Sequence, residues 1–356
     1  MRSLKNIMVT GGAGFIGSNF INYILQETDF DGRIINIDKL TYAGNLENLD
    51  NINKKYGGKR YFFEKLDICD HDGIKATAKK YEIDTIVHLA AESHVDRSIH
   101  GPSDFIRSNI LGTFTLLEVV RKLWSDKDNT LFHHVSTDEV YGSLGETGYF
   151  YEDTSYDPRS PYSASKASSD HLVKAYFHTY QMPITLSNCS NNYGPFQFPE
   201  KLIPVMILNL RDEKPLPVYG DGKNIRDWLY VNDHNLAVWL IMNNGTSGET
   251  YNIGGENEWE NIKLVNVLCE KMAKFNNKER DHYKKLITYV KDRPGHDRRY
   301  AINCNKIKNE LGFSQTVTFD QGLERTIKWY LDNPDWIDNV RSGEYRTWIE
   351  KNYTKR

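Results

Sequence analysis

The sequence of 356 residues predicts an α/β fold with a doubly wound, mostly parallel sheet and a smaller α/β domain. The sheet is predicted by short β-branched or apolar runs that alternate with amphipathic segments through the first half. A second observation, that no internal repeat of fixed period is present, argues against a solenoid or a propeller. Strands separated by such helices need crossover connections, which give parallel strands covered on both faces. A third observation predicts the second domain, because prolines, glycines and charged residues become frequent after about residue 190.

The individual elements follow from these patterns in chain order. Strands are predicted over residues 6–10, 33–38, 61–66, 85–90, 131–136, 184–187, 226–230 and 249–253. A helix over residues 18–25 has one apolar stripe, made of Phe20, Ile21, Ile24 and Leu25. A helix over residues 105–123 has a similar stripe, made of Ile106, Ile110, Phe114, Leu117 and Val120. The charged segment 276–285 is predicted to be a surface helix or loop.

The overall charge gives no reason to expect nucleic acid or an anionic membrane as a partner. Lysine and arginine number 45 against 48 acidic residues, a formal net charge of −3. The apolar run 202–210 is much shorter than the roughly 20 residues of a membrane span. The first residues lead into a strand without a signal region, and the cysteines form no CxxC pair. We therefore expect a cytoplasmic protein with reduced thiols.

The first predicted strand leads into a glycine-rich segment in which Gly11, Gly14 and Gly17 precede a helix. One glycine permits a tight turn, a second lets the backbone approach a pyrophosphate, and a third allows close helix–strand packing. Asp38 closes the next strand, where a carboxylate accepts hydrogen bonds from an adenosine ribose. The pattern predicts a Rossmann-type dinucleotide site, with a purely structural turn as the alternative. The carboxylate favours NAD, whereas Lys39 beside it leaves NADP open.

Later strand ends extend the predicted cofactor site, because open α/β sheets bind ligands at the carboxyl ends of their strands. The residues at or just after the ends of the third and fourth strands are Asp67, Ile68, Leu89, Ala90, Ala91 and Ser93. The small side chains at 90 and 91 would let a flat cofactor lie against the backbone. Close helix–sheet packing explains these small side chains equally well.

Tyr162 and Lys166 form a Tyr-x-x-x-Lys pair at the start of a predicted helix, where they share a face. An ammonium near a phenol stabilises the phenolate, so we expect Lys166 to lower the pKa of Tyr162 and make it a base for a hydroxyl group. The spacing alone is common, since Tyr61/Lys65 and Tyr219/Lys223 share it. Only Tyr162 opens a helix after the strand that ends in Ser136 and Thr137.

The glycine loop, Asp38, residues 89–93, Ser136-Thr137 and the Tyr162/Lys166 pair, in this order, resemble the extended short-chain dehydrogenase/reductases. Within that class, residues 136–142 (Ser-Thr-Asp-Glu-Val-Tyr-Gly) resemble the active-site segment of the dTDP-glucose 4,6-dehydratases. The likeness continues through residues 94–99, 187–195, 198–204, 226–228 and 292–296, and so covers nearly the whole chain.

This resemblance implies a role for each predicted catalytic residue. Tyr162 would remove the C4 hydroxyl proton of the sugar, with Lys166 beside it, and Thr137 would hold O4. Glu139 would be the base at C5 and Asp138 the acid for the departing C6 hydroxyl, in a reaction that uses NAD. Adjacent carboxyls suit these roles only if Asp138 is protonated and Glu139 ionised. The alternative is that Asp138 and Glu139 form a solvated turn after a strand.

The resemblance also implies binding residues beyond those named above. For the cofactor these are Phe15, Ile16, Leu40, Thr41, Ser108 and Asn192. For the nucleotide-sugar substrate they are Ser93, Thr137, Asp138, Glu139, Asn191, Lys201, Leu202, Pro217, Val218, Tyr219, Arg226, Asn261, Arg293 and His296. Arg226 and Arg293 would bind the diphosphate, and surface ion pairs are their alternative. Asn188 and Ser108 depart from the arginine and threonine that are common in the family.

The sequence predicts two domains with different binding roles. Residues 1–190 and about 226–255 would form the NAD-binding domain, and about 191–225 and 256–356 the sugar-nucleotide domain. The resemblance implies a homodimer formed through helices outside the sheet. No metal is expected, since the adjacent His133 and His134 point to opposite faces of a strand without a third ligand.

Three alternative functions remain open from the sequence. They are a 4,6-dehydratase of a UDP- or GDP-linked sugar, a nucleotide-sugar 4-epimerase, and a non-catalytic nucleotide sensor on the same fold. The acidic pair opposes the epimerase, because epimerisation at C4 needs no elimination across C5 and C6. The intact Tyr162, Lys166, Asp138 and Glu139 oppose the sensor.

Overall fold

A computed structural model describes residues 2–124 and 128–341 of the chain. The strands are β1 (Asn6–Thr10), β2 (Arg33–Asp38), β3 (Tyr61–Lys65), β4 (Thr85–His88), β5 (Leu131–Thr137), β6 (Ile184–Cys189), β7 (Asn191–Tyr193), β8 (Leu216–Tyr219), β9 (Ile225–Tyr230), β10 (Thr250–Ile253), β11 (Glu258–Glu260) and β12 (Ile287–Val290).

The helices alternate with these strands. They are α1 (Phe15–Glu27), α2 (Asp50–Tyr56), α3 (His71–Lys80), α4 (Val95–His100), α5 (Pro102–Phe105), α6 (Thr113–Leu123), α7 (Pro161–Tyr180), α8 (Leu202–Arg211), α9 (Val231–Asn244), α10 (Asn261–Phe275), α11 (Asn305–Leu311), α12 (Phe319–Asp332) and α13 (Pro334–Val340). A π-helix spans Ile106–Gly112, and 3-10 helices span Leu46–Leu49, Asp138–Tyr141 and Lys284–Leu286.

The described residues form a central sheet of seven strands in the order β10-β6-β5-β4-β1-β2-β3, and every neighbouring pair is parallel. The predicted doubly wound sheet is therefore confirmed. Strand order reverses beside β1, where connections leave in opposite directions and open a crevice at the carboxyl ends of the strands. β4, β5, β6 and β10 are buried along their whole length, as expected for parallel strands covered by helices on both faces.

The helix α1 packs on this sheet through the predicted stripe. Its buried apolar side chains are Phe20, Ile21, Ile24 and Leu25. They join a core cluster that includes Ile7 and Val9 of β1 and Ile241 of α9. The 3.6-residue period of the sequence thus identified the correct buried face.

The stripe predicted for residues 105–123 is only partly correct. Leu117 and Val120 are buried, but Ile106 and Phe114 are 46% and 44% exposed. The π-helix between α5 and α6 accounts for Ile106, because its wider turn rotates the residues before it relative to those after it. Phe114 lies after the π-helix, in α6, whose buried face is formed by Thr113, Leu116, Leu117 and Val120. A single period of 3.6 residues cannot describe both sides of such an insertion.

The remaining strands form two small sheets outside the central one. β9 pairs with β7 in parallel and with β11 in antiparallel, and β8 pairs with β12 in parallel. A separate core cluster surrounds them, with Ile203 of α8, Leu264 of α10 and Leu323 of α12 among its members. The two-domain division stays a prediction, in which β9 would belong with the first domain and β8 with the second.

The charged segment 276–285 lies at the surface as predicted, apart from the buried Tyr283. None of the helices within residues 2–124 and 128–341 combines the length and apolar character that a bilayer span requires.

Candidate active site

A cavity of about 300 Å³ opens where the order of the central sheet reverses. Its walls are the carboxyl ends of β1, β2, β4, β5 and β6 together with the first turns of α1 and α7. All five predicted catalytic residues line it: Thr137, Asp138, Glu139, Tyr162 and Lys166. Residues from separate stretches of the chain thus converge on one space.

The glycine loop forms one end of this cavity. Gly11 has a φ of +71°, and a Cβ there would lie 2.7 Å from the Ala90 backbone. A Cβ on Gly17 would overlap the Gly11 carbonyl oxygen. Gly14 is the N-cap of α1 and supplies no side-chain cap, so the first N–H groups of the helix are available to a ligand. Such N–H groups at a helix start suit the phosphates of a dinucleotide.

Asp38 lies on the cavity wall at the end of β2. Its carboxylate accepts hydrogen bonds from the backbone N–H groups of Ala13 (3.1 Å) and Leu40 (2.8 Å). Burial raises the pKa of Asp38, and these two donors oppose the rise. Lys39 Nζ lies 3.5 Å from an oxygen of Asp67, so its charge is already paired. A carboxylate beside a paired lysine favours a ribose 2′-hydroxyl over a 2′-phosphate.

The predicted cofactor residues line the cavity with one exception. Leu40 lies outside the lining; its φ of +58° turns the chain, and its N–H is bonded to Asp38. The others are Gly11, Gly14, Phe15, Ile16, Gly17, Asp38, Lys39, Thr41, Asp67, Ile68, Leu89, Ala90, Ala91, Ser93, Ser108, Tyr162, Lys166 and Asn192. The glycine loop leaves a space that larger side chains would fill, and the Asp38 carboxylate lies on the same cavity wall. This combination fits a nicotinamide dinucleotide.

The start of α7 fixes the positions of Tyr162 and Lys166. Ser160 Oγ accepts from the Ser163 N–H, and Ser163 Oγ accepts from the Ser160 N–H, both at 3.0 Å. This capping box and Pro161 at the first helical position define where the helix begins. The predicted helix start is therefore confirmed.

The structure does not show the predicted lowering of the Tyr162 pKa. Burial raises the pKa of Tyr162, and the charge of Glu139 raises it further, while a hydrogen bond with Thr137 opposes the rise. Lys166 Nζ donates instead to the Val135 carbonyl oxygen at 2.9 Å. The net shift of the Tyr162 pKa is therefore upward instead of downward, because burial is its largest cause and spacing says nothing about burial. Stabilisation of the phenolate by Lys166 stays a prediction.

Asp138 and Glu139 form the first turn of a 3-10 helix directly after β5. Thr137 Oγ1 accepts from the Glu139 N–H at 3.3 Å and lies 3.4 Å from Asp138 Oδ1. Burial, reinforced by Glu139, raises the pKa of Asp138 well above its ordinary value. Burial also raises the pKa of Glu139, but Arg293, Lys201 and Arg226 oppose that rise. The pair is therefore biased towards a protonated Asp138 and an ionised Glu139.

The two predicted arginines lie beyond the cavity lining but act on it electrostatically. The Arg226 guanidinium is buried, donates to the carbonyl oxygen of Asp297 at 3.0 Å and lies 4.2 Å from the Tyr300 ring centroid. Arg293 Nη1 lies 3.7 Å from Asp96 Oδ1. Arg293 Nε is buried without a hydrogen-bond partner among the described residues. Neither arginine is a surface ion pair, which was the alternative.

The other predicted substrate residues divide into two groups. Those that line the cavity are Ser93, Thr137, Asp138, Glu139, Asn191 and Lys201. Those that do not are Leu202, Pro217, Val218, Tyr219, Arg226, Asn261, Arg293 and His296. The members of the second group around Arg293 are joined, since the Tyr219 hydroxyl donates to Asp96 Oδ2 at 3.0 Å and the Tyr219 ring contacts that of His296. Val218 is 2% exposed within the smaller core.

Several residues of this region escaped the sequence analysis. Cys189, Gln197 and Glu200 line the cavity, and Tyr300 interacts with Glu139. Two of them could have been found from the sequence. Glu200 is next to Lys201, which was predicted to bind the substrate, and Cys189 lies at a strand end, where such sheets bind ligands. Tyr300 had no such signal, because it lies far along the chain and only the fold brings it near.

The buried histidines of β5 have structural partners. His133 Nδ1 lies 2.9 Å from Thr185 Oγ1, and His134 Nε2 lies 3.1 Å from Asp170 Oδ1. They face different neighbours, as adjacent strand residues do. In the residues that the structure describes, no group of three or more His, Cys, Asp or Glu side chains is arranged to hold a metal ion.

Comparison with known proteins gives consistent matches. The profile of the family described as GDP-mannose 4,6 dehydratase matches residues 8–326. A dTDP-glucose 4,6-dehydratase of Salmonella typhimurium is 53% identical over 364 residues, covering 98% of this chain and 99% of the relative. A dTDP-glucose 4,6-dehydratase structure from Bacillus anthracis, in complex with NAD, has a TM-score of 0.84 at 46% identity and covers 94% of this chain and 99% of that one.

A second structure, from Streptomyces venezuelae with NAD and another ligand bound, has a TM-score of 0.86 at 41% identity over the same shares of the two chains. This sheet order and the placement of a tyrosine–lysine pair over a glycine loop define an extended short-chain dehydrogenase/reductase. Within that class, the chain belongs to the nucleotide-sugar 4,6-dehydratase family, among the dTDP-glucose 4,6-dehydratases.

Proposed function

We propose that this protein converts dTDP-glucose to dTDP-4-keto-6-deoxyglucose and water, with NAD as its bound cofactor. The observation that carries the proposal is the split environment of Asp138 and Glu139, in the same cavity as Tyr162. An elimination needs one acid and one base, and this pair offers both.

The cofactor residues would be the glycine loop for the diphosphate and Asp38 for the adenosine ribose. When bound, NAD accepts a hydride from C4 of the sugar and returns it to C6. Tyr162 takes the proton of the C4 hydroxyl as the carbonyl forms, with the Lys166 ammonium on the next turn of α7 to stabilise the phenolate. Thr137, which neighbours both acids, holds O4 by hydrogen bond.

The elimination then proceeds across C5 and C6. The C4 carbonyl acidifies the C5–H bond, Glu139 takes that proton, and the electron pair forms the C5–C6 double bond. Asp138 gives its proton to the C6 hydroxyl, which leaves as water. Glu139 then returns its proton to C5 as the hydride held by the reduced cofactor enters C6, which completes the product. The proton that Tyr162 took from the C4 hydroxyl replaces, through solvent, the one that Asp138 gave to the departing water. One water is therefore lost, and Tyr162, Asp138 and Glu139 recover their original states.

The cationic residues bind the nucleoside diphosphate in this proposal. A diphosphate needs guanidinium or N–H partners, and Arg226 and Arg293 lie beyond the acids. Arg293 Nε and Asn261 Oδ1 are buried without hydrogen-bond partners in the described part of the chain, which favours a polar ligand there. The nucleobase of the substrate would lie near Pro217, Tyr219 and His296.

A direct assay tests the reaction and the nucleotide together. The purified protein is incubated with NAD and dTDP-glucose, UDP-glucose or GDP-mannose, and the product is identified by mass and NMR. We expect loss of water from dTDP-glucose. Turnover confined to UDP-glucose or GDP-mannose would refute the nucleobase assignment, and a product of unchanged mass would indicate a 4-epimerase.

A homodimer is our second proposal. Ile106, Leu111 and Phe114 are 46%, 52% and 44% exposed on the helical stretch outside the sheet, and burying them against a second copy would remove apolar surface from water. Light scattering should report a dimer for the wild type and a monomer for L111E/F114E. The control F275E changes an exposed aromatic residue on α10 and should stay dimeric; a monomeric wild type would contradict the proposal.

We also propose that the protein works in the cytoplasm. Its cysteines Cys69, Cys189, Cys269 and Cys304 are free thiols, which is typical of a reducing compartment. Fractionation of the source cells should recover the activity with cytoplasmic markers, and recovery outside the cytoplasm would contradict this assignment.

A further inference from the structure

A buried carboxylate lies behind the lysine of the active site. Asp170 follows Lys166 by about one turn on α7, so the two side chains share a face. The Asp170 side chain is 0% exposed, and it does not line the cavity. The reaction described above assigns it no step. Burying a charge is unfavourable unless it is paired, so the partners of Asp170 indicate what it does.

Asp170 is bonded to the strand that carries the active site. Its Oδ2 accepts from Ser136 Oγ at 2.7 Å, and its Oδ1 lies 3.1 Å from His134 Nε2. Burial raises the pKa of the nearby Tyr156 phenol, and the charge of Asp170 raises it further. Burial alone would raise the pKa of Asp170, but His134, Lys166 and Ser136 outweigh it, and the carboxyl group stays ionised.

The Lys166 ammonium lies against the same strand. Its Nζ donates to the Val135 carbonyl oxygen at 2.9 Å and lies 3.4 Å from His134 Nε2. Burial lowers the pKa of Lys166, and the charge of Asp170 is the largest opposing influence. A neutral lysine could not stabilise a phenolate, so the reaction depends on this opposition.

Other titratable groups face the pair from each neighbouring element. Around Lys166 they are Tyr162 of α7, His134 of β5, His88 of β4 and Cys189 of β6. Around Asp170 they are His134 of β5, Lys174 of α7, Tyr141 of the 3-10 helix and Tyr156 of the following loop.

Most of these neighbours are neutral near pH 7. Burial lowers the pKa of His134 to about 4 and that of His88 well below its ordinary value, and it raises the pKa of Cys189 to about 12. Lys174 is partly buried, and burial lowers its pKa while the charge of Asp170 opposes this. Asp170 is therefore the negative charge nearest to Lys166 on the side away from the cavity.

We propose that Asp170 is a positioning residue that holds Lys166 in its charged form and in place beneath Tyr162, with His134 packed between them. This inference rests on the proposed function only in giving the lysine a charged role during oxidation of the sugar. The binding of NAD to the same cavity supplies a readout that does not depend on turnover.

The test replaces the carboxylate by an amide of the same shape, Asp170→Asn. An opposite charge nearby shifts a pKa by about 1–3 units, so the alkaline limb of the pH profile of kcat/KM should move down by about one unit or more. The KM for dTDP-glucose should change less than kcat. The affinity for NAD, measured by calorimetry, should weaken at a lower pH than in the wild type.

Two variants separate this role from a structural one. Asp170→Glu keeps the charge and should restore the alkaline limb towards the wild type. Asp233→Asn removes another fully buried carboxylate, which accepts hydrogen bonds from the Thr316 N–H (2.8 Å) and lies away from the cavity. It should lower the melting temperature without moving the pH profile.

The outcomes are then distinct. A wild-type pH profile in Asp170→Asn overturns the proposal. If Asp170→Asn does not fold, Asp170→Ser takes its place, and failure of both uncharged variants while Asp170→Glu folds shows that the carboxylate serves folding instead, which also overturns it. Failure of the proposed function would differ from these results, because the wild type itself would then turn over no sugar nucleotide.

Discussion

Asp138 and Glu139 are adjacent in the chain but have different surroundings. Asp138 is 2% exposed and receives the negative field of its neighbour, whereas Glu139 is only partly buried and faces the charges of Arg293, Lys201 and Arg226. Burial raises the pKa of both carboxyls, but three cations oppose the rise at Glu139, so Asp138 keeps its proton to a higher pH than Glu139 does. The proposed elimination depends on this difference between single residues.

Replacing the proposed base tests the role of Glu139 directly. Glu139→Gln keeps the shape but cannot take the C5 proton, so we expect kcat to fall by about 100-fold or more. When wild-type enzyme works in deuterium oxide, NMR should show deuterium at C5 of the product, and the variant should incorporate almost none. The exposed Glu146→Gln is the control and should behave as the wild type. Undiminished deuterium in Glu139→Gln would reassign the base.

The raised pKa of Asp138 has a consequence for stability. Between its ordinary value of 3.8 and the raised one, the native state binds a proton that the unfolded state releases. The free energy of unfolding therefore falls with rising pH in that window, by about 1.4 kcal/mol per unit from this group. Asp138→Asn should flatten the slope measured by urea unfolding. The exposed Asp153→Asn should leave it unchanged, and equal slopes in all three proteins would contradict a buried, protonated Asp138.

At the scale of elements, three segments carry most residues of the proposed site. They are the glycine loop before α1, the end of β5 and the start of α7. Each is fixed by local backbone contacts. Gly17 packs against Gly11, Thr137 accepts from the Glu139 N–H, and Ser160 caps α7. These contacts set the termini of elements, which is where parallel sheets hold their ligands.

The glycine loop gives a test at this scale. Gly17→Ala places a methyl group on the Gly11 carbonyl oxygen, so the loop must shift; we expect a loss of about 1–3 kcal/mol in unfolding free energy and weaker NAD binding. The control Gly145→Ala puts a methyl group into open space. Urea unfolding and calorimetry measure both effects. Wild-type behaviour of Gly17→Ala would mean that the close packing is not needed.

At the scale of the whole molecule, the C-terminal elements return to the nucleotide end of the sheet. Trp336 Nε1 of α13 donates to Asn48 Oδ1 at 2.7 Å, and Asn48 Nδ2 donates to the Ala13 carbonyl oxygen at 3.0 Å. Arg97 Nε donates to Glu200 Oε2 at 3.1 Å across the cavity rim. The glycine loop is thus supported through Asn48 by Trp336, which lies 288 positions after Asn48 in the sequence.

Replacing this long-range donor tests the support. Trp336→Phe keeps a ring but removes the donor to a buried amide oxygen, so we expect about 1 kcal/mol lower unfolding free energy beyond the cost of the smaller ring. Trp228→Phe is the matched control, because Trp228 Nε1 is buried without a partner in the described residues. Equal losses in the two variants, measured by urea unfolding, would mean that the Asn48 bond adds nothing.

The sequence by itself determined the features that depend on near neighbours in the chain. Glycine spacing, an acid at the next strand end and the start of α7 before Tyr162 follow from local backbone geometry, and α1 shows its buried face through periodicity. The resemblance to a known family supplied the acid–base pair and the cationic residues, whose roles no local rule predicts.

Only the tertiary structure decided the rest. The π-helix changed which face holds Ile106, and burial raised the pKa of Tyr162 against expectation. Folding brought Tyr300 to the site and gave Asp170 its partners Ser136 and His134. The physical reason is that backbone geometry is set within a few residues, whereas desolvation and charge pairing depend on atoms that are distant in sequence. A pKa or an exposed face is therefore a property of the folded chain.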